Sequence, residues 1–158
     1  MKRAIKPIAL LATAITFTSA AFADGHLSRE QSSAIEARQS HMQLMLFNFG
    51  PIAAMAQDKA PYDSARAAQA AANLAAVAGL DHTGYWIEGT DSSVGGNRAK
   101  AEIWTDLDGL IEANQALVTS TTALADVAGD GIDALKAAFG PVGKSCGDCH
   151  ETYRTPRN

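Results

Sequence analysis

Apolar residues in this chain recur at steps of three, four and seven, the spacing that lays side chains along one face of an α-helix. In LSREQSSAIEARQSHMQLMLFNFGPIAAMAQ, residues 27–57, the stripe comprises Ile35, Met42, Met45, Leu46, Phe49, Ile52, Ala53 and Ala56. Ser28 and Gln31 open the segment with the spacing of a capping box, and Pro51 predicts a bend inside it. A second helix is expected after Asp63, a suitable cap, through SARAAQAAANLAAVA to Gly79. Residues 80–100 have no period, four glycines and two aromatics, and read as a long connection. A third helix is predicted from about Ala101 to Val127, with Ile103, Trp104, Leu107, Leu110, Ile111, Leu117 and Leu124 among its apolar members. AGDG then breaks the pattern. A fourth helix follows from about Ile132, with Asp130 as its expected cap and Pro141 as a second bend. Four apolar stripes joined by two short links and one long one are buried most economically as an all-α, antiparallel up-down-up-down four-helix bundle.

The first 23 residues stand apart from this pattern. Lys2, Arg3 and Lys6 precede an uncharged, largely apolar run, and Ala21-Phe22-Ala23 closes it with the small-x-small pattern of a signal-peptidase site. This reads as a cleaved secretory signal rather than an anchor, since the apolar part is short for a bilayer span. Residues 24–158 then form one domain exported to the periplasm, with no membrane anchor. Beyond the signal, ten basic residues face seventeen acidic ones, a net charge of −7 with histidine neutral. Such a balance gives no electrostatic footprint for nucleic acid and suits a partner with a basic patch.

The only two cysteines lie near the C-terminus, in GKSCGDCHETYR. A disulfide between positions three apart closes a very small loop and removes little unfolded-chain entropy, so scaffolding does not explain them. On a helix, Cys146, Cys149 and His150 stand at i, i+3 and i+4 and share a face that Leu135, Phe139, Val142 and Tyr153 continue. C-x-x-C-H is the attachment sequence of c-type haem. Two thiols one turn apart suit thioethers to one porphyrin edge, and the adjacent imidazole suits the iron. A thioredoxin-like dithiol would need a βαβ context, and zinc would need a fourth ligand. Neither is evident in the sequence.

On these residues the chain resembles the cytochrome c-prime family, the class II c-type cytochromes, including their low-spin methionine-ligated relatives. The matching segments are ARQSHMQLM, APYD, AEIW and LKAAFGPVGKSCGDCHETYR. The resemblance implies an antiparallel four-helix bundle with one covalent haem c held by Cys146 and Cys149 and an axial His150. It also implies a distal residue four positions after an arginine, here Met42 after Arg38. Arg38 would sit near a haem propionate and Arg154 beside the proximal ligand. Met42 would line the distal pocket, either as sixth ligand or beside an open site that admits NO or CO. Family members often form homodimers through their first two helices, which the alanine-rich second helix permits.

Among the other side chains, Tyr153 is expected against the haem or the core, and Trp86 and Trp104 as anchors. His41, about 100° around the helix from Met42, is expected at solvent or an interface. His26 and His82 read as surface histidines, and Lys144 and Asp148 as solvated. No paired carboxylates or nucleophile constellation argues for an enzyme. The expected function is electron transfer with a redox partner protein, and the alternative is binding of NO or CO for gas trapping or sensing. Replacing both Cys146 and Cys149 by Ala is expected to abolish haem that survives denaturing electrophoresis; a haem-staining band in that variant would contradict the attachment.

Overall fold

The computed structural model describes residues 27–156. The expected signal peptide and His26 lie outside the described residues. Four α-helices carry the fold: α1 (Arg29–Ala56), α2 (Ser64–Ala78), α3 (Leu107–Val127) and α4 (Ile132–Tyr153). Each helix packs on its neighbours in sequence, and α4 closes the ring against α1. This is the antiparallel up-down-up-down bundle that the periodicity demands.

The helix boundaries follow local chemistry. Ser28 and Gln31 form a complete capping box at α1, and the Asp63 side chain accepts from the Arg66 N–H at the start of α2. Two expectations fail. Residues 101–105 form a 3-10 turn, and α3 proper starts only after Asp106, whose carboxylate accepts from the Gly109 N–H. Asp130 does not cap α4; Gly131 takes that position with φ 132°, a conformation that disfavours any residue with a Cβ. Pro51 and Pro141 both lie inside helices.

The core is divided along the bundle. The larger part joins Met45 and Ile52 of α1, Leu74 of α2, Leu124 of α3, and Leu135 and Val142 of α4, with α2 contributing buried alanines. Leu46, placed by periodicity on the core stripe, is instead exposed. A smaller cluster at the other end holds Ile103, Leu110 and Tyr153, with Trp86, Trp104 and Cys149 packed on it.

The two short links meet at the first end. The Tyr62 hydroxyl donates to the Ala128 carbonyl and accepts from the Gly131 N–H, both at 3.0 Å, and the Ser64 hydroxyl donates to the Gly129 carbonyl. The long connection and the C-terminus meet at the second end. Ala99 and Arg154 form an antiparallel bridge, flanked by Lys100 N–H to the Tyr153 carbonyl at 3.0 Å and Thr155 N–H to the Arg98 carbonyl at 2.9 Å. Tyr62→Phe strands two backbone groups at once, so it should lower unfolding stability by about 1–3 kcal/mol in a denaturant titration. An unchanged midpoint would show that the first end is not held by this hydroxyl.

Candidate cofactor site between the last helix and the first

α4 places its two thiols in different surroundings one turn apart. Cys146 is half-buried against the larger core, and Cys149 is half-buried against the Trp86 and Trp104 cluster. Burial raises the pKa of both; Cys149 is raised further by Cys146 and drawn back by Arg154. Both shifts run opposite to the lowered thiol pKa of a disulfide oxidoreductase. His150, next on the same face, has its pKa lowered by burial first and then by Arg154 and Arg98. The imidazole is held neutral, which is the form that ligates iron. Among the described residues no three His, Cys, Asp or Glu side chains form a group that could hold a metal ion.

The facing element is α1. Phe49 stacks on Phe139 of α4, with ring centroids 5.2 Å apart. Met42 lies seven residues before Phe49, two turns along the same edge of α1, and Leu46 lies between them. Along that edge Met42 is 47% exposed and Leu46 65% exposed. Large apolar side chains left uncovered are what a flat apolar macrocycle would cover. The donor set on α4, two half-buried thiols one turn apart and the adjacent imidazole of His150, fits a c-type haem.

Arg38, one turn before Met42, is buried rather than solvated. Its Nη1 donates to the Tyr85 carbonyl at 2.9 Å and to Thr90 Oγ1 at 2.8 Å, and its Nη2 donates to the Thr90 carbonyl at 2.7 Å. The guanidinium carbon lies 5.1 Å from the centre of the Trp86 ring. Hydrogen bonds from a charged donor contribute about 1.5–3 kcal/mol each, so these three offset much of the several kcal/mol that burying an ion costs. No carboxylate is among these partners, and burial lowers the Arg38 pKa.

His41 corrects the expectation of a solvent or interface role. It is buried, with its ring 5.7 Å from that of His82 and 6.0 Å from that of Tyr85, and its Nδ1 has no partner. Desolvation, then His82, lowers its pKa. His82 is not an ordinary surface residue either, because its Nδ1 accepts from Trp86 Nε1 at 3.1 Å. Trp104 Nε1 in turn donates to the Trp86 carbonyl at 3.0 Å, so the two indoles are anchors. Lys144 and Asp148 pair with each other at the surface, as expected of solvated charges one turn apart.

Tyr153 packs in the smaller core, and its hydroxyl donates to Asp106 Oδ2 at 2.6 Å. The same carboxylate caps α3, so the start of α3 and the end of α4 share one acidic group. Gly109 makes room for this: a Cβ there would lie 2.5 Å from both the Tyr153 hydroxyl and Asp106 Oδ2. Arg154 caps α4 at an exposed position. The sequence did not single out Arg98, Lys100 or Thr90. NRAK and EGT carry no periodic signal, and only the fold brings them to the site.

The Asp106 contact raises the Tyr153 pKa to about 12, with burial adding to it. The group is neutral in the folded state while the unfolded phenol ionises near pH 10. Its contribution to stability is therefore complete below pH 10 and is lost as pH rises toward 12. Tyr153→Phe should flatten the fall in thermal midpoint between pH 10 and 12; equal slopes in the two proteins would contradict the contact.

The comparisons with known proteins give the family. The family model described as Cytochrome C' matches residues 33–154. A cytochrome c' of Cereibacter sphaeroides is 36% identical over 132 residues, 83% of this chain and 89% of the relative. A solved cytochrome c' from Rhodobacter spheriodes superposes with a TM-score of 0.78 at 38% identity, covering 80% of this chain and 98% of that one. A nitric oxide complex of a variant cytochrome c prime from Alcaligenes xylosoxidans superposes with a TM-score of 0.71 at 32% identity, covering 83% and 100%.

Proposed function

Since this chain belongs to the cytochrome c' family, whose members carry covalently attached haem c, we propose that it is a periplasmic mono-haem electron carrier. The observation that carries the reading is the pairing of the Cys146, Cys149 and His150 face of α4 with the uncovered Met42 edge of α1. Cys146 and Cys149 would hold the cofactor as thioethers, and their surroundings on two different core clusters would fix its tilt. His150, kept neutral, would be the axial ligand, with Met42 on the opposite side. Bound there, the haem iron supplies one reversible electron. Arg38, buried without a carboxylate, would meet a propionate, and Arg154 would act on the proximal imidazole.

The surroundings favour a carrier over an enzyme. An acid–base group on the Met42 side would be needed to break bonds in a ligand. His41, the nearest histidine in sequence, is turned into the His82 and Tyr85 cluster instead. Export is inferred from residues 1–23, and no helix among the described residues is long and apolar enough to cross a membrane.

A second reading is gas binding, favoured by the nitric oxide complex of the relative and by the half-exposure of Met42, which core packing does not hold. The haem-loaded protein should give low-spin absorption bands that CO leaves unchanged, and Met42→Leu should open the site to CO. High-spin bands that shift with CO in the unaltered protein would hand the lead to gas binding.

We further propose that the chain forms a homodimer through α1 and α2. On the side of α1 away from the Met42 edge, Leu44 is 51% and Phe47 78% exposed. Sedimentation should find a dimer that Phe47→Glu converts to a monomer; a monomeric unaltered protein would rule the interface out.

A further inference from the structure

A buried cation without a counter-ion needs something else to hold it. Arg38 is 7% exposed, and among the described residues it forms no ion pair. Neutral groups take the carboxylate's place, and Thr90 supplies two of the three. Its hydroxyl accepts from Arg38 Nη1 at 2.8 Å and its carbonyl accepts from Nη2 at 2.7 Å, while the Tyr85 carbonyl accepts from Nη1 at 2.9 Å. One residue thus grips both prongs of the guanidinium fork. Trp86 covers its face, with the ring centre 5.1 Å from the guanidinium carbon.

Thr90 is itself fully buried, and its hydroxyl is set for this contact. A hydroxyl has one hydrogen, and here it goes to the Ile87 carbonyl at 2.6 Å. Lone pairs are left to face Arg38. The segment that carries Thr90 is tied to α1 a second time, by Gln31 Nε2 donating to the Glu88 carbonyl at 3.1 Å. The neighbouring carboxylate is engaged elsewhere: Asp91 Oδ1 accepts from the Ser93 N–H at 2.7 Å. Serine at position 90 would keep both hydrogen bonds of the hydroxyl. Valine would keep the shape and lose the acceptor.

Neutral acceptors differ from a carboxylate in their consequence for redox chemistry. They fix a cation in place and leave its charge standing. Away from water such a charge acts more strongly on its surroundings. Arg38 stands one turn before Met42 on α1. We propose that Thr90 is a positioning residue for electron transfer: it holds Arg38 without neutralising it, so that the guanidinium raises the reduction potential of the haem. A nearby positive charge favours ferrous iron over ferric, which carries one more positive charge. The sign is the same when the guanidinium acts by neutralising a propionate. The proposal rests on the carrier reading and adds to it a residue of the long connection.

The test uses the haem-loaded full chain. Equilibrium redox titration compares the unaltered protein with Thr90→Val, Thr90→Ser, Arg38→Gln and the double variant that joins Thr90→Val to Arg38→Gln. Thr90→Val and Arg38→Gln should each shift the midpoint potential downward, and Thr90→Ser should leave it in place. The double variant should lie no lower than Arg38→Gln alone, because Thr90 acts through the arginine. A merely structural role would lower the potential further in that background. An unshifted midpoint in Thr90→Val or in Arg38→Gln, or a further fall in the double variant, would overturn the proposal. The second readout is the side-chain nitrogen-15 spectrum of the reduced, unaltered protein, which stands even where Thr90→Val does not fold. A held guanidinium gives separate Nη signals whose protons cross-relax with the Thr90 methyl group. One averaged signal, as a freely turning side chain gives, would overturn the proposal. A preparation with no haem couple to titrate would defeat the carrier reading and the effect on potential with it, and the guanidinium spectrum would still decide whether Thr90 holds Arg38.

Discussion

The last turn of an α-helix leaves carbonyl oxygens without helical donors. In α4, residues from the long connection meet that need. Lys100 reaches two of these carbonyls with its side chain and a third with its backbone N–H. Arg98 and Thr155 extend the contact past the end of the helix. The segment that ties down this turn also carries Trp86 and Ala99, which pack in the cluster with Cys149. The position of His150 thus depends on a connection about 50 residues away in sequence. A frayed final turn would loosen Cys149 and His150 together.

The same connection grips α1 from the other side. Gln31 Nε2 donates to the Glu88 carbonyl, and Arg38 holds Tyr85 and Thr90. Thr90 Oγ1 donates to the Ile87 carbonyl while accepting from Arg38, so a buried cation organises the strap without any ion pair. The connection therefore bridges α1 and the end of α4. The opposite end, closed by Tyr62, needs no such device and uses short turns. The result is one end closed by short turns and one end strapped by the long connection.

Much of this was legible in the sequence because it depends on local rules. Capping pairs at Ser28 and Asp63, apolar steps along α4 and the C-x-x-C-H spacing each act within one or two turns. The parts that were not legible are tertiary. A 3.6-residue period says that Leu46 and Ile52 lie toward one broad face; it does not say which edge of that face the protein leaves for a cofactor. His41 looks like a solvent or interface residue because nothing local reveals that His82 and Tyr85 fold over it. Asp130 failed as a cap because Gly131, with its positive φ, turns the chain into α4 instead.

The measurement that tests the central claim most directly is a tryptic peptide map of the exported protein by tandem mass spectrometry. Cleavage after Lys144 and Arg154 isolates residues 145–154, which contain both cysteines and His150. The account predicts that this peptide carries one haem bound through both Cys146 and Cys149. Recovery of the peptide with free thiols or an internal disulfide, and haem absent or elsewhere, would contradict it.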